Sequence, residues 1–203
     1  YDAKNLAFIL PAGKYIGNSR YKDVFAASGM ADLTSFRNHW GAETSLDVEL
    51  YRPVARYELV AKDVATFLNK LSTGGLKGES FTARVKYSDY LPTGYNLWDD
   101  VPKNSLMYME YKVAFERPAD GTKELKLGFD YVLTDVGETV SIPVELEILN
   151  EKNEVLARTA FRIPCERGKN TTVRGNFLTS DANGGIGIDP DYDGDLEVDL
   201  GEL

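Results

Sequence analysis

The regular alternation of apolar and polar side chains constrains the fold of this chain more than any other feature of its sequence. From Glu79 onward, short alternating runs follow one another, separated by Gly, Pro, Asn or Asp residues. In the first of these runs, Phe81, Ala83, Val85 and Tyr87 alternate with polar side chains. A period of two places every second side chain on the same face of a strand. The runs therefore predict β-strands over most of the chain.

The spacing of these runs predicts the fold class. Roughly nine or ten strands follow one another at intervals of about eight to twelve residues, which is typical of an antiparallel sandwich. Residues 62–71 instead show helical spacing, with Phe67 and Leu71 on the apolar face and Asp63 as a candidate cap. Residues 21–28 are a second, shorter helix candidate, with Ser19 as the cap. The prediction is an all-β, mainly antiparallel β-sandwich with one or two short helices.

A further strand is expected upstream of the longer helix, and it helps to divide the chain. Leu46, Val48 and Leu50 alternate with acidic residues, which predicts a strand that ends at Pro53. Residues 30–44 have no such periodicity. We therefore expect residues 1–44 to form an N-terminal piece, either the end of a preceding sandwich or an accessory segment. Residues 45–203 are expected to form the β-sandwich domain.

The C-terminal end of the chain repeats the alternating pattern. Leu196, Val198 and Leu200 lie on one face of the predicted strand, and Glu197 and Asp199 lie on the other. A strand with one apolar face must dock on a sheet, which belongs either to its own chain or to another molecule. We predict that the three apolar side chains mark a closing or donated strand.

An acidic turn precedes this strand and matches the first half of a calcium-binding loop. Its D-x-D-x-D-G spacing lets alternate carboxylates converge on one ion. The twelfth position of such a loop should be a bidentate Glu, and here it is Leu200. The alternative is a solvated acidic turn. We predict no cofactor, and calcium is the metal that the spacing leaves open. The candidate ligands are Asp189, Asp191, Asp193 and Asp195.

Residues 88–104 are expected to form a long loop that is rich in aromatic side chains. Tyr90, Tyr95 and Trp98 lie close in sequence to the carboxylates of Asp99 and Asp100. Rings can stack on the faces of sugars, and carboxylates can accept hydrogen bonds from sugar hydroxyls. A carbohydrate-binding module is therefore the alternative function. In the other interpretation, the loop folds its own rings onto the edge of the sandwich.

The charge of the chain argues against one class of partner. Its 203 residues carry a formal charge of −9, and the isoelectric point is about 4.7. Nucleic-acid binding requires a basic surface, so no nucleic-acid partner is expected. No apolar run is long enough to span a bilayer, so no transmembrane segment is predicted.

No catalytic constellation is recognisable in the sequence. Cys165 is the single cysteine and lies at the end of an apolar strand, which favours a buried side chain over a nucleophile. His39 is the single histidine, and neither Ser35 nor Ser45 lies in a nucleophile elbow. The glycine-rich stretch 73–80 lacks the Gly-Lys-Ser/Thr pattern of a phosphate-binding loop. The chain is therefore predicted not to be an enzyme.

Three segments of the chain carry a recognisable set of positions. One, residues 50–60, precedes the longer helix, one, residues 127–133, contains Tyr131, and one, residues 162–179, is the closing region around Arg167. The matching positions are Leu50, Arg52, Pro53, Ala55, Tyr131, Pro164, Arg167, Asn170, Thr172, Gly175, Leu178 and Thr179. Together they resemble the fimbrillin superfamily, the major-fimbrial-subunit-like surface proteins of Gram-negative anaerobes. The resemblance covers residues 23–200 and is clearest in the closing region. The uncharacterised fimbrillin-like subgroup fits the length of the chain better than a polymerising stalk subunit does.

This resemblance implies a transthyretin-like β-sandwich, export as a lipoprotein, and display at the outer membrane on the cell surface. It also implies cell adhesion and assembly into fimbriae by strand donation, so the expected partners are copies of the chain or other fimbrial subunits. The lipid anchor would be attached through a leader that is not in this sequence, which begins at Tyr1. In the alternative function, host or dietary glycans would be the partners.

Overall fold

The computed structural model of the chain describes residues 6–7, 15–179 and 196–199. These residues form eleven β-strands, one α-helix and two single turns of 3-10 helix, at Arg20–Lys22 and Thr34–Phe36. The regular elements are β1 (Leu6–Ala7), β2 (Val54–Ala61), α1 (Val64–Ser72), β3 (Ser80–Tyr87), β4 (Leu91–Asn96), β5 (Val101–Leu106), β6 (Glu110–Glu116), β7 (Leu125–Leu133), β8 (Thr139–Asn150), β9 (Val155–Glu166), β10 (Asn170–Gly175) and β11 (Leu196–Asp199).

Two four-stranded sheets carry most of the fold. Sheet I has the strand order β11-β10-β2-β7, and sheet II has the order β6-β3-β8-β9. A smaller sheet III has the order β1-β4-β5. Sheets I and II pack face to face, because side chains of β2, β7 and β10 share one core cluster with side chains of β3, β8 and β9. The predicted all-β sandwich is confirmed, and its transthyretin-like subtype stays a prediction.

The alternation in the sequence determines which side chains enter the core. In β3 every second side chain is buried, from Phe81 to Tyr87, and the side chains between them are only partly buried. Tyr57 of β2 meets this row from the opposite sheet. The helix predicted over residues 62–71 is present as α1, and it closes one end of the core. Phe67 of this helix meets Phe81 edge-on, with 5.1 Å between the ring centroids.

Most strand pairs are antiparallel, but β10 is an exception. It pairs in parallel with β2 on one side and with β11 on the other. The chain reaches β10 from β9 through a tight turn in which Gly168 has a φ of +74°. This conformation favours glycine, and the turn moves the chain from sheet II to sheet I. Among the described residues, Leu196–Asp199 lies at the outer edge of sheet I of the same chain.

The prediction of a loop over residues 88–104 is wrong, because most of this segment forms the β4–β5 hairpin. Pro92 and Pro102 lie within these strands, and proline is a poor predictor of strands because it has no N–H to pair. The Asn96 side chain fixes the turn, since its oxygen accepts hydrogen bonds from the backbone N–H groups of Trp98 (3.0 Å) and Asp99 (3.3 Å). The aromatic residues of this segment are therefore held on a hairpin.

The strand predicted from Leu46, Val48 and Leu50 is also wrong. Residues 44–50 have no regular structure, and only Tyr51 pairs, with Ala26, in an isolated bridge. Sheet I offers this segment no free edge beside β2, because β10 and β7 already flank that strand. The three apolar side chains consequently remain 64%, 60% and 63% exposed.

The two predicted helix starts differ from the structure in detail. The helix expected over residues 21–28 is only the 3-10 turn Arg20–Lys22. Its predicted cap is present, because the Ser19 hydroxyl oxygen accepts a hydrogen bond from the Tyr21 N–H. Asp63 directly precedes α1, but its carboxylate does not cap the helix. It accepts hydrogen bonds instead from the backbone N–H groups of Leu178 (3.0 Å) and Thr179 (2.8 Å). Leu178 is buried outside any strand, so its N–H requires an acceptor of this kind.

Candidate functional site

A buried network of charged and phenolic side chains joins the N-terminal segment to the core of the sandwich. Lys22 and Asp130 of β7 are both buried, and Lys22 Nζ lies 2.5 Å from Asp130 Oδ1. Asp130 also accepts hydrogen bonds from the hydroxyl groups of Tyr87 (2.7 Å) and Tyr15, and from the backbone N–H of Tyr131 (2.8 Å). Donors therefore surround the carboxylate, as a buried charge requires.

Two further tyrosines extend this network across the interior. Tyr57 Oη lies 2.6 Å from Tyr87 Oη and 3.2 Å from Tyr111 Oη. Burial raises the pKa of all three phenols well above the ordinary value, so they remain protonated. Burial also lowers the pKa of Lys22, against the opposing effect of Asp130. Because these groups are enclosed, the network is a structural contact and presents no surface to a ligand.

Backbone contacts reinforce the attachment of the N-terminal segment. The Asn18 N–H donates to the Phe129 carbonyl (2.9 Å), and the Asn18 side chain accepts from the Phe129 N–H (3.2 Å). Gly17 lies against the ring of Tyr111, where an added Cβ would collide with ring atoms. Residues 15–22 thus contact the sandwich directly along β7. The domain boundary after residue 44 stays a prediction.

A second polar cluster ties the β4–β5 hairpin to the rest of the sandwich. The Arg167 guanidinium binds the Asp100 carboxylate through two hydrogen bonds, of 3.0 Å and 2.8 Å. The hydroxyl groups of Tyr51 and Tyr95 donate to the same carboxylate at 2.6 Å and 2.7 Å. Burial alone would raise the pKa of Asp100, but these hydrogen bonds outweigh it and lower the pKa to about 2. Arg167, one of the positions in the fimbrillin resemblance, holds the hairpin in place.

The three aromatic residues predicted to bind glycans do not form one surface. Tyr95 is only 5% exposed, because its ring packs in a cluster with Val54 and Tyr131. Tyr90 and Trp98 are both exposed, but they flank opposite ends of β4. A strand of six residues is roughly 20 Å long, so one sugar ring cannot contact both. Glycan binding by this trio stays a prediction that would need two separate contacts.

The predicted closing strand is only partly within the described residues. In β11, Leu196 pairs with Thr171 and Val198 pairs with Val173 of β10. Leu200 lies outside the described residues, as does the acidic turn. In residues 6–7, 15–179 and 196–199 no group of three or more His, Cys, Asp or Glu could hold a metal ion. Strand donation and calcium binding both stay predictions. The turn residues concerned are Asp189, Asp191, Asp193 and Asp195.

The residues considered for catalysis occupy separate environments. Cys165 is buried in β9, where burial raises the pKa of its thiol to about 12. The group is therefore an unreactive thiol at neutral pH. His39, Ser35 and Ser45 are exposed in the irregular segment that precedes β2. That the chain is not an enzyme stays a prediction.

Residues 30–50 expose several large apolar side chains. Met30 and Trp40 are almost fully exposed, and the others are more than half exposed. The segment contains one 3-10 turn and no strand. These side chains all lie within residues 30–50, and exposed apolar groups that form a contiguous patch typically mark a contact site. Sequence periodicity did identify the end of this segment as apolar, but it predicted burial within the chain. The exposed residues are Met30, Leu33, Trp40, Leu46, Val48 and Leu50.

The outer face of sheet II is an array of charges with Glu147 at its centre. The Glu147 carboxylate is fully covered by cations from neighbouring strands: Arg158 Nη2 lies at 2.6 Å, Arg84 Nε at 2.7 Å and Lys86 Nζ at 2.9 Å. Burial alone would raise the pKa of Glu147, but the hydrogen bonds from Lys86, Arg84 and Arg158 lower it to about 2. The ordinary value for glutamate is near 4.5.

We expect this carboxylate to make the protein sensitive to acid. The pKa of Glu147 is lower in the folded than in the unfolded chain, so its contribution is complete above about pH 4.5 and is lost as the pH falls toward 2. Between about pH 5 and pH 2.5, the wild type should lose about 2 kcal/mol more free energy of unfolding than Glu147→Gln does. Urea denaturation at a series of pH values measures the difference. Equal losses in the two proteins would show that Glu147 makes no such contribution.

The described part of the chain contains no helix that is long and apolar enough to cross a membrane. Among curated proteins, none matches the sequence. One solved structure with a detectable likeness is that of a "putative cell adhesion protein" from Bacteroides ovatus ATCC 8483. The two chains are 14% identical, the alignment covers 62% of this chain and 41% of that chain, and the TM-score is 0.32. This chain therefore aligns with less than half of that protein's length.

A protein family matches the chain over almost its whole length. The family's sequence profile covers residues 1–201, which include every strand and the helix described above. The match thus spans both main sheets and the N-terminal segment that the buried network attaches to them. The chain belongs to the family of unknown function DUF6562.

Proposed function

We propose that this chain is a non-enzymatic structural or adhesive protein of the cell surface, and that it assembles with copies of itself by β-strand pairing. The observation that carries the proposal is the segment 46–50, which has the sequence of a half-buried strand and lies exposed and unpaired in the chain. The fimbrillin resemblance, which implies export and lipid anchoring, supports the location. No cofactor is part of this function.

Burial of its apolar side chains would favour pairing of this segment with another molecule. Leu46, Val48 and Leu50 are each about three-fifths exposed. Full burial of such a side chain contributes about 1.5–3 kcal/mol, so covering the exposed fraction would contribute about 1–2 kcal/mol for each residue. Backbone hydrogen bonds along a sheet edge would fix the register. Leu196–Asp199 is less suited to this role, because it already pairs with β10 in its own chain.

Of the two edges of sheet II, β6 fits the segment better. Within the described residues, sheet II ends at β6 on one side and at β9 on the other. β9 presents Arg158, which already binds Glu147, and Arg162, and an exposed ion pair from either of them to the acidic residues of the segment would contribute only about 0–1 kcal/mol. β6 presents Val113 and Phe115, which are only partly buried and which a paired strand would cover. Burial of these apolar side chains would stabilise the pairing more than such ion pairs would, so we assign β6 as the acceptor.

Two matched substitutions test the assembly. Val48 is 60% exposed within the segment, and Val136 is 62% exposed in the β7–β8 connection. We expect the wild type to associate as its concentration rises, Val48→Asp to remain monomeric, and Val136→Asp to associate like the wild type. Sedimentation velocity from micromolar to near-millimolar concentrations measures this, and thermal melting should show all three to be equally stable. The proposal would be contradicted by a wild type that stays monomeric at every concentration. It would also be contradicted if Val48→Asp and Val136→Asp lost association to the same extent.

A further inference from the structure

We propose that the chain also has a saccharide-binding site, in a cleft at the end of sheet II that is built around Tyr108 and takes one neutral pyranose ring. The cleft has a volume of about 290 Å³ and lies between the end of β3, the β5–β6 turn and β8. This site goes beyond the proposed assembly function. It shares no residue with the segment 46–50, and it meets the proposed acceptor strand β6 only at Glu110, the first residue of that strand.

The backbone of Tyr108 provides the first line of evidence. Tyr108 has a φ of +60°, and its side chain is 87% exposed. A bulky residue is a genuine outlier in this region, where glycine or asparagine fits with less strain. The exposed ring contributes little to the core that could offset the strain. Strained residues of this kind concentrate at binding sites, where the conformation aims a side chain at a ligand.

The floor of the cleft provides complementary polar groups. Glu110, Lys86 and Glu145 form one row across β6, β3 and β8, because Lys86 pairs with Glu110 on one side and with Glu145 on the other. Lys86 Nζ lies 3.0 Å from Glu145 Oε1. The two carboxylates can accept hydrogen bonds from sugar hydroxyls, and the ammonium group can donate one. A lining that combines an aromatic ring with these polar groups suits a sugar ring, which has both apolar faces and polar edges.

The size and charge of the cleft narrow the class of ligand. Ligand pockets for small molecules begin at about 300 Å³, so this cleft holds one ring and not an extended chain. The lining cation, Lys86, is already neutralised by Glu145 (3.0 Å) and Glu147 (2.9 Å), so it is not available as the counterion of a sugar carboxylate. An acidic sugar would bring a carboxylate that lacks a partner in the lining, whereas a neutral hexose or N-acetylhexosamine would not.

Tyr90 extends this surface beyond the cleft. Leu91 pairs with Leu106, so Tyr90 lies at the same end of the β4–β5 hairpin as the turn that carries Tyr108. Tyr90 and Leu106 are both substantially exposed. A second sugar of an oligosaccharide would reach this side. Trp98 lies at the opposite end of the hairpin and serves as a control.

The test uses the full chain on an array of immobilised neutral and acidic glycans. We expect the wild type to retain neutral glycans only, Tyr108→Asn to lose at least about tenfold in retention, and Tyr108→Phe and Trp98→Ala to stay within about twofold of the wild type. Asparagine tolerates the positive φ, so Tyr108→Asn should also melt about 2–4 °C higher than the wild type. A variant that is more stable yet does not bind separates binding from folding.

Three results would overturn the site. They are a wild type that retains no neutral glycan, undiminished retention by Tyr108→Asn, and a lower melting temperature for Tyr108→Asn, which would mean that the ring is a packing residue. In solution, the monomeric variant Val48→Asp should bind a neutral glycan with the same affinity as the wild type. Weaker binding by that variant would show that the site depends on assembly, and this result would also overturn the inference.

Discussion

Replacement of Asp130 by asparagine should destabilise the protein by about 3–5 kcal/mol. The substitution removes the charge that compensates Lys22, whose ammonium group is buried 2.5 Å from the carboxylate. Loss of one partner of a buried ion pair leaves the other charge without solvent or counterion, and this penalty exceeds the attraction that is lost. The Tyr15 and Tyr87 hydroxyls would at the same time face a weaker acceptor. The N-terminal segment should therefore separate from β7.

Urea denaturation of single and double variants measures this effect. Asp130→Asn and Lys22→Met should each be clearly less stable than the wild type, and the double variant should recover much of the loss, because no unpaired charge remains. Lys112→Met serves as a control, since Lys112 is paired with Glu110 at the surface. It should change the free energy of unfolding by less than about 0.5 kcal/mol. If the losses of the two single variants simply add in the double variant, the two charges are not coupled.

Replacement of Asp63 by alanine should cost about 2–4 kcal/mol. The Asp63 carboxylate accepts hydrogen bonds from the Leu178 N–H (3.0 Å), the Thr179 N–H (2.8 Å) and the Thr179 hydroxyl (2.7 Å). Each buried donor that is left without an acceptor costs about 1–3 kcal/mol. The turn also carries Phe177, which stacks on Phe161 in the core with ring centroids 5.3 Å apart. Loss of the carboxylate should loosen this packing as well.

The size of the loss can be compared with that of a conservative change at the same position. Asp63→Asn keeps one acceptor oxygen, so it should lose roughly half as much free energy of unfolding as Asp63→Ala does. Leu178 and Thr179 belong to the closing motif of the fimbrillin resemblance. Their contact with Asp63 gives a structural role to these two positions of the motif. If Asp63→Ala unfolds at the same urea concentration as the wild type, the turn is held by its apolar side chains alone.

The sequence was most informative where one face of a strand is buried and the other is exposed. β3 is an example, since the buried side chains from Phe81 to Tyr87 produce a clean period of two. Helix α1 was predictable for the same reason, because its buried side chains recur at the helical spacing of three to four residues. The β4–β5 hairpin was missed because Pro92 and Pro102 interrupt the pattern, and backbone pairing with its neighbours forms the strands despite them.

The residues 46–50 show the opposite kind of error. Their alternation predicted a strand, but alternation describes only the side chains and says nothing about whether a sheet edge is available. The buried network could not be predicted at all, since Tyr15 and Asp130 are 115 residues apart and no local pattern relates them. The requirement for Gly17 is also visible only in the folded chain, where the close contact with Tyr111 leaves no room for a side chain. Tyr108 likewise looks ordinary in sequence, because only the backbone angle distinguishes it.

Hydrogen–deuterium exchange of the backbone amides, followed by mass spectrometry at low and high protein concentration, tests the assembly most directly. If residues 46–50 pair with β6 of a second copy, their amides should exchange rapidly in dilute protein and slowly in concentrated protein, and the amides of Glu110–Glu116 should gain protection in parallel. Neither change should occur in Val48→Asp. Concentrated protein that associates while residues 46–50 still exchange at the rate of an unpaired chain would contradict strand pairing by this segment.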